Sequence, residues 1–494
     1  MNSKTTITKF FVLYFAIRLF SYFFSPQTPL VSQHPLNTIV SALIFVLAIY
    51  LLIKKDERGW YVVAGEIILG GSGGYLRLDF VSLRTALLLG SVTIFFIQKI
   101  ISEKTEFFKQ LKLKQSLILI LIGMAGLAAM RGLYMNHEHS TVFSNFVPYL
   151  FLLYYFPLRE LWLSDRFREL GKNAIVAAVF GNALMILLTQ IGLSSGLFIL
   201  QDNYYHWYRD VALGKITDLN FHFYRLVLNE HLLLVPLSLY FIGDIIKNKV
   251  NKINVTALVC LLFILANNLS RIYLVALFVG TLVLFYIKNW KRWLAVSFAT
   301  AIGFILIFTI SHTLASRGQS FGLEIFGLRL QSIASPQMED SSLSRLLLLP
   351  KILEKIKQHP FLGSGLGDTV TVYSPVFKTN ITTPNFDWGY LEIFAEMGLF
   401  GLLIWLILIC YLFKNIIKNS QHVLFAILIS FLIINITSPA LFHVLGIILI
   451  TFIMKHHGLT PVVSGQSHSP SFACPLSSRP WLIMYFLITS SSIP

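Results

Sequence analysis

The apolar residues of this chain come in blocks of roughly 17–25, the length an α-helix needs to cross a hydrocarbon core about 30 Å thick. Blocks of that length bury their backbone polar groups only by bonding them within the segment, which a helix does. The chain has 494 residues, of which 55% are hydrophobic and only 13% charged, with a mean hydropathy of +0.71. Water-soluble domains carry about 25% charged residues. A soluble globule is excluded.

The blocks lie near 7–24, 36–53, 60–76, 81–98, 115–131, 143–161, 173–193, 231–246, 253–268, 271–287, 293–312, 388–413, 421–436 and 439–454. They predict an all-α, polytopic transmembrane bundle over residues 1–454, with about 12–14 spans. The third and fourth blocks are the weakest, because Gly70, Gly71, Gly73 and Gly74 interrupt them. The first block contains Arg18 and no small-residue cleavage site, so it reads as a retained helix rather than a signal peptide.

The net charge of +16 invites a nucleic-acid reading, but its placement argues against one. More than half of the Lys and Arg residues sit at the N-terminus and in short connections at alternating ends of the blocks. Examples are Lys54-Lys55-Asp56-Glu57-Arg58 and the runs Lys99 to Lys114, Arg159 to Lys172, and Lys247 to Lys252. That is the positive-inside pattern of cytoplasmic loops, and no polar domain carries a basic patch for nucleic acid. Cys260, Cys410 and Cys474 offer no disulfide framework or thiolate metal site.

With the N-terminus inside, two connections too long to be turns fall outside, at 194–230 and 313–387. Loops this long usually carry function. No internal repeat is visible, which weighs against a secondary transporter. Residues 455–494 change character: Pro461 to Pro480 is rich in Ser and Pro and reads as disordered.

Candidate chemistry gathers at the outer ends of the spans. Arg271, in Asn267-Asn268-Leu269-Ser270-Arg271, lies in a tight outside turn. It either snorkels to water or holds an anion, for which a planar guanidinium is well suited. Arg225 precedes a span on the same side, and a diphosphate calls for paired cations. In the second loop Leu349, Ile352, Leu353 and Ile356 follow helical spacing, with Pro350 in the first turn. This helix either lies on the membrane with Lys351 and Lys355 at headgroup depth, or packs on the protein itself. Gly363 and Gly365, in Pro360-Phe361-Leu362-Gly363-Ser364-Gly365-Leu366-Gly367, let backbone N–H groups approach an anion or simply make a turn. Asp387 opens the next span as a helix cap or as a general base. Glu392 and Glu396 share one face of that span, and Gly398 and Gly401 suit close helix packing. Tyr204, Tyr205, Trp207 and Tyr208 could stack on sugars or mark an interface.

The order of these features resembles the O-antigen ligase and O-antigen polymerase superfamily of bacterial envelope glycan enzymes. It rests on Asn268-Leu269-Ser270-Arg271, on Ser344-Arg345 in a long outside loop, and on the glycine run ending at Gly367. Asp387-Trp388-Gly389-Tyr390-Leu391 and Gly398-Leu399-Phe400-Gly401 complete it, over about 220–415. The resemblance implies a GT-C-like glycosyltransferase of the bacterial plasma (inner) membrane with its site facing outward. It uses an undecaprenyl-diphosphate-linked oligosaccharide, with no nucleotide sugar, no cofactor and no metal. Arg271 and Arg225 would hold the diphosphate, with Asp387 as base. Arg345, Lys351, Lys355, Gly363, Gly365, Tyr390 and Glu392 would contact substrate. Ligases of the family carry a His where this chain has Asp387, which points to a polymerase joining repeat units. A ligase, a flippase and a peptidoglycan-type polymerase are the alternatives. Besides the bilayer, a chain-length regulator or other glycan-export proteins are the partners such a polymerase would meet.

Overall fold

A computed structural model describes residues 3–27, 35–79, 81–103, 113–200, 202–248, 250–286, 289–334, 340–374 and 378–456. The chain divides into residues 1–457 and 458–494, and the second unit lies outside the described residues, as does nearly all of the tail expected to be disordered.

The apolar blocks are helices: α1 (Ser3–Phe24), α2 (Leu36–Ile53), α3 (Arg58–Leu69), α4 (Leu83–Glu103), α5 (Leu113–Tyr134), α6 (His139–Leu150) and α7 (Asp165–Ser195). After the first long loop come α8 (Leu234–Lys247), α9 (Lys252–Asn268), α10 (Arg271–Val283) and α11 (Trp290–Ala315). The second loop carries α12 (Leu323–Ala334) and α13 (Asp340–Gln358), and the chain closes with α14 (Gly389–Lys418), α15 (His422–Ile434) and α16 (Val444–His456). Among the described residues nine helical segments are long and apolar enough to cross a membrane, and four shorter apolar helices accompany them. The protein is an all-α, multi-pass membrane bundle. Its strands form three small antiparallel hairpins, two of them in the long loops: β3 (Lys215–Asp218) with β4 (Tyr224–Val227), and β5 (Val370–Ser374) with β6 (Thr379–Thr383). The third, β1 (Arg77–Leu78) with β2 (Val81–Ser82), joins α3 to α4.

The expected span 60–76 is only half helical. Helix α3 stops at Leu69, where Gly71 and Gly73 take left-handed φ of 52° and 82°. The turn is buried, so its backbone must find partners inside the protein. Arg18 donates to Leu69 O (3.0 Å) and pairs with Glu230 (3.2 Å) on one side. Arg84 donates to Glu66 O (3.2 Å) and pairs with the Glu66 carboxylate (2.9 Å) on the other. Two buried ion pairs thus flank the glycine turn. The arginine inside the first block has a structural employment.

Both long loops rise from one end of the bundle, where Arg317 at the foot of the second donates to Ser194 O at the foot of the first (3.5 Å). In the first loop Trp207 and Tyr208 are buried, and Trp207 packs against Tyr22 and Tyr75 while donating to Ser21 Oγ (3.0 Å). Both rings therefore build the loop's core, and neither forms an open sugar platform.

In the second loop the amphipathic helix begins earlier than its apolar spacing suggests, and Pro350 lies inside α13 rather than in its first turn. Its apolar face, Leu348, Ile352 and Ile356, packs against Val370, Phe386 and Ala395 in a small core of the loop's own. The membrane-surface alternative is therefore replaced by packing on the protein.

Helix α14 is broken at Gly398 (φ 68°, ψ −171°). The break frees carbonyls and N–H groups that need partners at membrane depth, and the glycine loop supplies them. Ser364 N and Gly365 N donate to Ala395 O and Glu396 O (2.7 and 3.0 Å), while Leu399 N donates to Pro360 O (2.9 Å). Arg131 Nε clamps the loop through Gly363 O (2.6 Å). Gly365 has φ 96°, and a Cβ there would lie 2.3 Å from Gly132 N. Gly365→Ala is expected to cost at least about 1–3 kcal/mol from the backbone conformation alone. Thermal unfolding in detergent reads this as a lower midpoint, and an unchanged midpoint would show that the loop does not brace the broken helix.

Candidate active site

At the end that carries the loops, α9 turns into α10 through Leu269, which takes φ 47°. The turn presents Arg271 as the first residue of α10. A cation at a helix N-terminus opposes the macrodipole, which favours anions there.

Arg271 lines a hollow of about 190 Å³ with Leu269, Leu274, Val275, Phe278, Phe326 and Arg329. Arg329 and Phe326 come from α12, one helical turn apart, so the second loop closes this wall. The lining surface is almost wholly apolar, with Arg271 and Arg329 bordering it, and Phe278 at its side is 65% exposed on the bundle's flank. Arg225, on β4, lies beside this turn, with Nε donating to Asn268 O at 2.7 Å, but it is not among the lining residues.

A second corner forms where the loop enters α14. Arg345 Nε lies 3.8 Å from Asp387 Oδ2, and the Asp387 carboxylate is 42% exposed. Trp388 Nε1 donates to Arg345 O (3.0 Å), docking α13 onto the start of α14. Asp387 does not cap the helix; Trp388 occupies that position, and Asp387 takes φ 57°. The buried Glu392 carboxylate accepts from Phe386 N (3.2 Å), which holds the residue before Asp387. Tyr390 OH donates to Leu432 O on α15 (2.9 Å). Helix α15 packs against both α10, which begins at Arg271, and α14, which begins just after Asp387.

The other sequence candidates are engaged elsewhere. Lys355 bonds both oxygens of the buried Asp368 (2.6 and 2.7 Å), beside His137 Nε2 at 3.8 Å. Lys351 pairs with Glu354 on the surface (3.1 Å). The N–H of Gly363 goes to His359 O (3.1 Å) and that of Gly365 to Glu396 O, so neither amide points at open solvent. Glu396 in turn accepts from Asn145 Nδ2 and Gly367 N (both 3.0 Å). Among the described residues no group of three or more His, Cys, Asp or Glu is placed to hold a metal ion.

Sequence reasoning missed Arg329 and Arg131. Arg329 carries no motif; its only signal is a place one turn from Phe326 on a short amphipathic segment. Arg131 looks like a positive residue at a helix end until the loop that it clamps is seen.

Residues 256–406 match a family model described as O-antigen ligase. The matched stretch runs from α9 into α14 and contains Arg271, Arg329, Arg345 and Asp387, while Arg225 precedes it. A comparison of the whole chain with curated proteins returns no match. Over residues 256–406 the chain is therefore similar to the O-antigen ligase family, which supports its resemblance to the O-antigen ligase and polymerase superfamily.

Proposed function

We propose that this protein is a membrane glycan polymerase that joins undecaprenyl-diphosphate-linked repeat units at the outer face of the plasma membrane. The observation that carries the reading is the hollow where Arg271 and Arg329 share an apolar lining. A polyprenyl diphosphate has the matching two-part chemistry, with a polyanion for the guanidinium groups and an isoprenoid chain for Leu274, Val275 and Phe278. Arginine forks give bidentate, charge-assisted bonds to phosphate oxygens.

The reaction balances without a cofactor. An acceptor sugar hydroxyl forms a new C–O bond at the donor's anomeric carbon, and the bond from that carbon to the diphosphate breaks. The leaving polyprenyl diphosphate takes the electron pair, and Arg271 and Arg329 stabilise the growing charge. The hydroxyl proton passes to Asp387, whose partly exposed carboxylate lies 3.8 Å from the Arg345 guanidinium. Positioning of donor and acceptor supplies much of the rate.

Transfer of finished glycan to a lipid or protein acceptor is the second reading, favoured by the description of the matched family. Incubation of purified protein with lipid-linked repeat units and no nucleotide, followed by sizing, separates the two. A ladder is the polymerase result, and a single transfer to an added acceptor is the ligase result. Unchanged donor in both reactions contradicts the enzyme.

Arg329→Ala is expected to weaken donor use about tenfold, the effect of losing one charge-assisted contact of roughly 1.5 kcal/mol. Initial rates against donor concentration would show it as a raised KM. Wild-type kinetics would remove α12 from the binding wall.

A further inference from the structure

We infer that His231 and Asn268 are positioning residues that fix the turn carrying Arg271 and so its place opposite Arg329, which rests on the diphosphate-binding reading above. Both are fully buried. His231 Nδ1 accepts from Leu228 N (3.2 Å) and from Asn268 Nδ2 (2.9 Å), so that nitrogen carries no proton. His231 Nε2 faces Asn182 Oδ1 at 3.5 Å and is the protonated nitrogen. The imidazole is thus held in one tautomer by groups from three separate elements.

Asn268 is the hub. Its side chain is anchored on His231, its carbonyl receives the Arg225 guanidinium, and it stands three residues before Arg271 at the left-handed turn. Movement of Asn268 would shift the backbone that carries one arginine and the acceptor that aims the other. The anchor itself is rigid, since the neighbouring Glu230 is tied to Arg18 in the core of the bundle. A guanidinium that must meet a diphosphate opposite Arg329 needs this fixed backbone, because a binding constellation tolerates only about half an ångström of misplacement.

The test uses the full chain in detergent with farnesyl diphosphate as the probe, with binding measured by calorimetry and folding by thermal unfolding. Asn268→Ala and His231→Leu should each weaken binding about tenfold, the effect of one lost hydrogen bond. His231→Asn, whose amide oxygen can replace Nδ1 as acceptor, should restore it. Combining Asn268→Ala with Arg271→Ala should weaken binding no further than Arg271→Ala alone, because the asparagine acts through that arginine. Additive losses in that pair, or His231→Asn as weak as His231→Leu at equal thermal stability, would overturn the positioning role. Equal binding by wild type and Arg271→Ala would instead overturn the diphosphate reading itself.

Discussion

Arg271→Ala is expected to abolish product formation while the protein remains in the membrane at its normal level. Arg271 sits at the mouth of α10, half-buried, in a hollow whose other walls are largely apolar. A charge in such low-dielectric surroundings acts more strongly on developing negative charge than it would in water. Removal of one preorganised donor of this kind costs about 10²–10³ in rate. Arg271→Lys should recover only part of the activity, since an ammonium keeps the charge and loses the bidentate fork. Product sizing, normalised to protein in the membrane fraction, reads both variants. Normal product in Arg271→Ala would leave the arginine as a snorkelling side chain.

Asp387→Asn is expected to slow turnover by about 10²–10⁴, the range for loss of a general base. The substitution is conservative for the fold. Asn tolerates the left-handed backbone that Asp387 adopts, and Asp387 makes no capping bond for α14 to lose. The donor KM should change little, because Asp387 is absent from the lining of the diphosphate hollow. A wild-type rate would reduce Asp387 to the partner of Arg345.

The two effects differ in kind. In the proposed reaction Arg271 acts on the leaving group and Asp387 on the attacking hydroxyl, so a slow residual reaction in the Asn variant should still release polyprenyl diphosphate.

The bundle was legible because lipid demands continuous apolar surface, and the apolar blocks other than 60–76 are mainly helical. The glycines at 70–74 also announced the break in the third span. They could not announce that Arg18, Glu230, Glu66 and Arg84 would satisfy it, since those partners are scattered along the chain. Helical spacing at Ile352 and Ile356 revealed an apolar face, but a face does not name what covers it, and Val370, Phe386 and Ala395 do. The glycine run looked like an anion cradle because its amides are accessible in sequence. Ser364 and Gly365 find their acceptors at Ala395 and Glu396, exposed by a helix break that only Gly398 foreshadowed. Arg271 and Asp387 stood out because each sits where an apolar block begins. Arg329 did not, because its importance comes from α12 folding over α10.

A cryo-electron microscopy structure with an undecaprenyl-diphosphate-linked repeat unit bound bears most directly on donor binding. The expected density places the diphosphate between Arg271 and Arg329, the isoprenoid along Val275 and Phe278, and the first sugar toward Asp387. Diphosphate density at any other part of the bundle, with the hollow beside α10 empty, would contradict it.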